Sequence, residues 1–308
     1  MPSRRTVALT LLTVILSVAA TLLVRDILGE EAPVEGALPG RFHSAILGED
    51  REYLVHLPEG YGRDSTARYP VLYVLDGASQ SGHTAASAAL LARIGVIPPL
   101  IVVGVASVDG DRRNRDYTPP DMRLDTDRPG GPRGEADRFL RSLQSELLPL
   151  LEWNYRTARP RMLAGWSRGG LFVVYSGLAA PGLFDARFAH SPALWREGDL
   201  IVAEVDRALA ADSLPAGFLY LSLGEEENAK MQASFRRLRE VLERHAGPRL
   251  RWRADLSSGG THETNPRLST PVGLCALFAG AAGLACRPGG EVPGGTAWAP
   301  VEAKATGR

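Results

Sequence analysis

The stretch that decides the expected fold is Arg161-Met-Leu-Ala-Gly-Trp-Ser-Arg-Gly-Gly-Leu-Phe-Val-Val-Tyr175. It predicts a short apolar strand, a turn at Ser167 between Gly165 and Gly169, and then an apolar helix. The turn has the pattern G-x-S-x-G, whose glycines allow the backbone to pass sharply from strand to helix. The helix that follows such a turn directs main-chain N–H groups toward an oxyanion formed beside the serine. We interpret Ser167 as a nucleophile, and a tight turn without chemistry is the alternative.

The composition is typical of a globular protein. Of the 308 residues 44% are hydrophobic, which suits one large α/β domain or two small ones. The 35 basic and 35 acidic residues balance, so no net field attracts nucleic acid. We therefore expect no nucleic-acid partner.

Residues 1–31 contain an apolar run that predicts contact with a membrane. Arg4 and Arg5 precede residues 7–24, which carry no charge, and Arg25 follows. The run is just long enough to cross a bilayer and is long for the core of a signal peptide. We predict an uncleaved signal anchor, with a cleaved signal peptide as the alternative. In either case the basic N-terminal residues place the rest of the chain outside the cytoplasm.

The remaining chain divides into a linker, a domain and a tail. Residues 32–40 predict a linker, residues 41–286 the folded domain and residues 287–308 a disordered tail. Cys275 and Cys286 could form a disulfide in an exported protein. On one continuous helix they would be about 16 Å apart, too far for a bridge, so pairing requires the helix to end between them. Two unpaired thiols are the alternative.

The first part of the domain predicts four strands. Residues 41–47 and 52–57 predict an antiparallel hairpin. Residues 69–77 and 99–106 are continuous apolar runs, typical of strands buried on both faces of a mostly parallel sheet. A loop is expected after Asp76, at the sheet edge where α/β proteins bind ligands.

Two further segments lead to the turn at Ser167. Residues 121–134 predict an exposed, mobile loop that borders a substrate cleft. Apolar residues at three- and four-residue spacing predict a helix over residues 135–151, with Pro149 tightening its last turn.

Strand and helix alternate beyond the turn as well. Residues 184–191, 217–223 and 250–256 predict strands, and residues 229–245 predict an amphipathic helix. The alternation argues for one α/β domain with a mostly parallel central sheet flanked by helices. A hydrophobic helix is predicted to precede this domain at the N-terminus.

The sequence also supplies a base and an acid for Ser167. His262 follows the last predicted strand, and Glu225, Glu226 and Glu227 follow the strand before it. The chain order serine, acid, histidine is that of α/β-hydrolases. Among the three glutamates we choose Glu227, with Glu226 next; all three could instead simply favour a helix dipole. The alternative for His262 is a surface loop histidine, and His190, at the end of a strand, is a rival base.

Several segments resemble the esterase family of α/β-hydrolases that includes enterochelin esterase-like hydrolases, S-formylglutathione hydrolases and mycolyltransferases. The segments are 70–77, 115–119, 139–157, 164–170 and 191–195, and the resemblance spans residues 40 to 285. It implies an α/β-hydrolase fold with Ser167 as nucleophile and His262 as base. It also implies an oxyanion hole made by the backbone N–H groups of Ala78 and Arg168, and an acid after Gly224.

The chain departs from the family pattern in two places. Trp166 and Arg168 stand where family members often carry His and a small or apolar residue, and Glu-Thr-Asn-Pro follows His262. The first departure is expected to alter the pocket beside the nucleophile. Neither removes a catalytic group.

The functional hypothesis is an extracytoplasmic, membrane-tethered serine esterase that needs no metal or organic cofactor. Siderophore, carbohydrate-linked acyl and lipid-derived esters are candidate substrates, and S-formylglutathione fits less well because it belongs to the cytoplasm. Two alternatives stay open: a mycolyltransferase-like acyltransferase, and a non-catalytic envelope protein that uses the same fold for binding.

Overall fold

The computed structural model describes residues 36–214 and 216–278. Within them one eight-stranded sheet has the order β1-β2-β4-β3-β5-β6-β7-β8. Strand β1 is antiparallel to β2 and β2 to β4, whereas all other neighbours are parallel. The strands are β1 (Leu38–Ser44), β2 (Glu49–His56), β3 (Tyr69–Leu75), β4 (Ile101–Val105), β5 (Thr157–Trp166), β6 (Ala186–His190), β7 (Gly217–Gly224) and β8 (Leu250–Ser257).

Helices cover both faces of this sheet. They are α1 (Gly77–Arg93), α2 (Gly110–Tyr117), α3 (Ala136–Ser142), α4 (Leu148–Asn154), α5 (Arg168–Ala179), α6 (Leu200–Ala210), α7 (Ala229–His245) and α8 (Asn265–Phe278). Successive residues of β3 belong to opposite apolar layers. Tyr73 is part of the cluster that includes residues of α5 and α7, whereas Leu72 and Val74 are part of the cluster that includes residues of α1 and α8. This two-sided burial explains why the strand is apolar throughout.

The predicted hairpin is present with shifted boundaries. Strand β1 begins at Leu38, inside the segment predicted as linker, and β2 begins at Glu49. The turn closes earlier than predicted because Gly48 adopts a left-handed φ of 73° and its N–H bonds to Ser44 O at 2.7 Å.

One predicted loop and one polar segment without a predicted structure are helices. The loop expected after Asp76 was wrong, since α1 begins at Gly77 and a left-handed φ of 55° at Asp76 turns the chain into it. The polar segment after β4 forms α2, and the Asp109 side chain caps it by accepting a hydrogen bond from Arg112 N at 2.8 Å. The sequence did not indicate α6.

The predicted role of Pro149 was also wrong. The helix continues to Asn154, and Pro149 lies in the first turn of α4, directly after a π-helical turn over Leu143–Leu147. Proline lacks an N–H and crowds the carbonyl four residues earlier. A wider turn just before it accommodates that conflict inside a continuous helix.

Several predictions fall on residues that the structure does not describe. These are the N-terminal anchor or signal peptide, the C-terminal tail, and Cys286 as a partner of Cys275. They stay predictions. Among the helices within residues 36–214 and 216–278, none has the length and apolar character needed to cross a bilayer.

Candidate active site

Ser167 occupies a strained turn between β5 and α5, with φ 58° and ψ −116°. A Cβ on Gly165 would lie 2.5 Å from Gly169 O, so only hydrogen fits before the serine. After the serine the tight position is Gly170, where a Cβ would lie 3.0 Å from His190 O. At Gly169 the nearest such contact, to Asp76, is an ordinary 3.6 Å. The strand–turn–helix predicted from G-x-S-x-G is confirmed, but Gly170 carries part of the constraint assigned to Gly169.

The segment after β6 holds the backbone of Ser167 from two sides. The N–H of Ser167 donates to His190 O, and the N–H of Ala193 donates to Ser167 O, each at 3.0 Å. The turn is therefore fixed by the neighbouring strand as well as by its own helix.

His262 and Glu227 meet at the same edge of the sheet. His262 Nδ1 lies 2.8 Å from Glu227 Oε2. Glu227 is 6% exposed, whereas Glu225 and Glu226 are exposed to solvent. Main-chain bonds join the two loops: Glu225 N–H donates to Ser257 O, and Glu226 N–H donates to Gly260 O. Of the three glutamates, Glu227 is the one whose carboxylate contacts the histidine.

Trp166 contacts His262 through both its indole nitrogen and its ring. Its indole Nε1 donates to His262 O at 2.7 Å, and the two rings lie 4.9 Å apart. Because Trp166 directly precedes Ser167, this contact ties the loop after β8 to the turn at the serine.

The second carboxylate oxygen of Glu227 has its own donors. Oε1 accepts a hydrogen bond of 2.5 Å from Ser191 Oγ and one of 2.9 Å from Gly224 N. Sequence reasoning used Ser191 only as part of a family segment and gave it no role. Its position directly after His190 at the end of β6 was the available signal.

The two residues predicted to form the oxyanion hole, Ala78 and Arg168, both lie at helix starts. Ala78 belongs to the first turn of α1, and Arg168 is the first residue of α5. The N–H groups in the first turn of a helix have no partner within the helix. The two helix starts are neighbours, since a Cβ added to Gly169 would lie 3.6 Å from Asp76 Oδ2.

Positively charged side chains surround this edge. The Arg168 guanidinium donates to Thr118 Oγ1 at 2.7 Å and Leu124 O at 3.3 Å. Arg196 donates to the main-chain oxygen of Leu124 at 3.0 Å. Burial, together with the charges of Arg196 and Arg113, lowers the pKa of Arg168 to about 10.

The loop predicted over residues 121–134 is anchored within this region. Arg123 forms a two-pronged ion pair with Glu197, at 2.9 and 2.8 Å, and its main-chain oxygen accepts from Arg196 at 2.6 Å. Arg113 makes a similar pair with Asp76, at 2.7 and 2.8 Å, at the start of α1.

His190, the rival base, is buried. Its Nδ1 lies 3.0 Å from Ser222 Oγ and 2.8 Å from Ser269 Oγ. Burial, with a smaller effect of His83, lowers the pKa of His190 to about 3. The ring is therefore neutral at physiological pH, and its Nδ1 is engaged by hydroxyl groups.

A mostly parallel eight-stranded sheet with a serine on the strand–helix turn after β5 defines an α/β-hydrolase fold. Residues 44–266 match the sequence model of the Esterase family, described as "Putative esterase". The match spans more than half of the chain, and the protein belongs to this family.

Known relatives include siderophore esterases. Ferri-bacillibactin esterase BesA of Bacillus subtilis (strain 168) is 29% identical over 214 residues, covering 64% of this chain and 74% of the relative. The siderophore enterobactin esterase of Emericella nidulans is 33% identical over 137 residues, covering 39% and 44%. An IroE-like serine hydrolase from Shewanella oneidensis has a TM-score of 0.73 at 28% identity, covering 79% of this chain and 80% of that one. These likenesses support ester hydrolysis.

Proposed function

We propose that the protein is a serine esterase that forms an acyl-enzyme on Ser167. One observation carries this proposal: the 2.8 Å contact between His262 Nδ1 and Glu227 Oε2, in a loop joined by Trp166 to the turn of the nucleophile. A carboxylate bonded to Nδ1 fixes the imidazole tautomer and stabilises its protonated form. Nε2 is then the nitrogen that exchanges protons with the serine.

The chemistry proceeds in two halves. Ser167 Oγ forms a bond to the ester carbonyl carbon while its proton passes to His262 Nε2. The N–H groups of Ala78 and Arg168 stabilise the oxyanion. The bond to the alcohol oxygen then breaks, and the alcohol leaves with the proton from His262. Water, deprotonated by His262, attacks the acyl carbon and releases the acid and Ser167.

The surroundings of Ser167 favour a negatively charged ester. In the part of the chain that the structure describes, Arg168 and Arg196 hydrogen-bond to neutral oxygens rather than carboxylates. Their charge is thus available to an anionic substrate. Iron-chelating catechol and carboxylate groups are anionic, and two relatives are siderophore esterases. A siderophore-type ester is therefore our preferred substrate class.

The test of the nucleophile uses the purified full chain and a fluorophosphonate probe. Labelling is expected in the wild type and absent in Ser167→Ala and His262→Ala. Ser234→Ala is a matched control, since Ser234 is a buried serine that bonds to its own helix at Lys230 O. A folded wild type that neither labels nor cleaves p-nitrophenyl esters would favour the non-catalytic alternative.

The test of the substrate compares iron-loaded siderophore esters with neutral p-nitrophenyl esters of similar acyl size. We expect a higher kcat/KM for the siderophore esters. Equal or lower values would remove the substrate assignment while leaving the esterase mechanism in place. Adding sugar acceptors to the same assay distinguishes acyl transfer from hydrolysis.

We also propose an extracytoplasmic location, which rests on the apolar run at residues 7–24 and the basic residues before it. Protease accessibility of the intact cell, after removal of any outer barrier, tests this location. A domain that is protected until the inner membrane is lysed would contradict it.

A further inference from the structure

A chain of buried polar side chains extends from Glu227 on the side away from His262. Its members are each at most 3% exposed: Ser191, Ser222, Asn265, Ser269 and His190. Polar groups at such depth are stable only when they are hydrogen-bonded. The negative charge of the Glu227 carboxylate sets the donor and the acceptor of the hydrogen bonds along this row of side chains.

The bond next to Glu227 has only one possible direction. An ionised carboxylate accepts and cannot donate, so Ser191 Oγ uses its single proton on Glu227 Oε1 at 2.5 Å. The group 2.8 Å from Ser191 Oγ on its other side must then be a donor. That group is Asn265 Nδ2, so the charge of Glu227 fixes the orientation of the Asn265 amide.

The far end of the chain holds Asn265 in place. Its Nδ2 also donates to Ser222 Oγ at 3.1 Å, and its Oδ1 accepts from Ser257 Oγ at 2.6 Å. Ser222 donates to Ser269, and Ser269 donates to Asn265 O. Because the hydroxyl protons of Ser222 and Ser269 are already used, both oxygens accept from His190. The Nδ1 of His190 therefore carries the hydrogen and is the donor. Every side-chain group around Asn265 then has a defined donor or acceptor role.

Ser191 also has a strained backbone. Its φ is 45°, in the left-handed region that favours glycine. The N–H of Ser191 donates to Ser222 O at 2.7 Å. The main-chain oxygen of the preceding residue, His190, accepts a hydrogen bond from Ser167 N. Strain of this kind persists where the surroundings impose it, and it is concentrated at functional sites. Glycine would relieve the strain but would lack the hydroxyl that reaches Glu227.

We propose that Ser191, held by Asn265, is a positioning residue that orients the Glu227 carboxylate toward His262. The bond from Ser191 occupies Oε1 and so leaves Oε2 directed at the imidazole. The same short segment bonds to the backbone of Ser167, so the nucleophile and the acid are aligned by one stretch of chain. This inference rests on the proposed function.

The experiment compares Ser191→Ala with Ser191→Gly. Both remove the hydroxyl, but only glycine relieves the left-handed strain, so the two variants differ in stability and share the loss of the bond. We expect kcat on a p-nitrophenyl ester to fall about 10- to 100-fold in both, with KM within about two-fold of wild type, because small displacements of catalytic groups are costly. Asn265→Ala is expected to act in the same direction. Ser234→Ala again serves as the control for loss of a buried hydroxyl.

A second readout does not depend on turnover. The Nδ1 hydrogen shared by His262 and Glu227 is expected as a downfield proton resonance in protein with 15N-labelled histidine, assigned by its loss in His262→Gln. Removal of the Ser191 hydroxyl is expected to shift or broaden it.

Two results would overturn the inference. One is an unchanged resonance in both Ser191 variants. The other is a rate that follows thermal stability, so that Ser191→Gly has wild-type activity while Ser191→Ala does not. A wild type that shows the resonance but reacts with no probe would refute the proposed function. The comparison of resonances would still decide the role of Ser191.

Discussion

The indole nitrogen of Trp166 donates a 2.7 Å hydrogen bond to the main-chain oxygen of His262. The residue that directly precedes Ser167, the proposed nucleophile, thus bonds to the loop that carries His262, the proposed base. The indole of Trp166 also packs against the imidazole of His262, with the two rings 4.9 Å apart.

Replacing Trp166 with Phe is expected to lower kcat/KM by about 5- to 10-fold, since a neutral hydrogen bond contributes about 1 kcal/mol. The phenyl ring keeps part of the packing, so the loss reports mainly the indole N–H. Steady-state hydrolysis of a p-nitrophenyl ester provides the measurement. Trp153→Phe is the control because Trp153 is 88% exposed. Equal effects of both substitutions would count against a role for the bond.

Glu227→Gln is expected to lower kcat by about 10³-fold, since an amide cannot fix the imidazole in the same tautomer or stabilise its cation. Glu225→Gln and Glu226→Gln make the same change of charge and shape at the exposed neighbouring residues. Their kcat is expected to stay within about two-fold of wild type, as is usual for surface substitutions. Steady-state hydrolysis of a p-nitrophenyl ester measures kcat for all three variants. A larger loss in either neighbour would assign the acid differently.

Arg168→Met is expected to reduce kcat/KM about 10-fold more for an ester with a carboxylate near the scissile bond than for its neutral analogue, since charged hydrogen bonds contribute about 1.5–3 kcal/mol. The backbone N–H of residue 168 is retained. The difference between the two esters is also expected to shrink as salt is raised. Arg236→Met, at an exposed position on α7, provides the control. Equal losses on both esters would argue against recognition of charge.

His83, a partly buried histidine, makes folding sensitive to acid. Burial, with a smaller effect of Arg267, lowers the pKa of His83 from its usual 6.5 to about 4. Between those values the unfolded chain binds a proton that the folded chain does not, so the free energy of unfolding rises with pH across this window.

His83→Gln is expected to reduce that slope, by at most about 1.4 kcal/mol per pH unit. Urea unfolding at several pH values between about 4 and 7 measures it. At about pH 8, where His83 is almost entirely neutral in both states, the free energies of unfolding of wild type and variant provide the reference. An identical slope would mean that His83 is not the titrating group.

Much of the sheet could be predicted from local patterns. Strand β3 is apolar throughout because both of its faces are buried, and helix α7 was predicted with its observed ends because its apolar stripe has a helical period. Helix α1 was missed because alanine, serine and threonine replace such a stripe over much of its length. It packs through close contact rather than through large side chains: a Cβ on Gly77 would lie 2.4 Å from the backbone of Gly104.

The sequence alone determined the turn at Ser167 and the order of serine, glutamates and His262, because sharp turns and chain order follow from local chemistry and connectivity. Glu225, Glu226 and Glu227 are the same type of residue, so the choice of Glu227 from the sequence rested on no physical difference among them. The tertiary structure decided among them: the loops after β7 and β8 bond to each other and bury one carboxylate against His262. Only the packed structure likewise brings Ser191 and Asn265, 74 residues apart in the chain, onto the same carboxylate network.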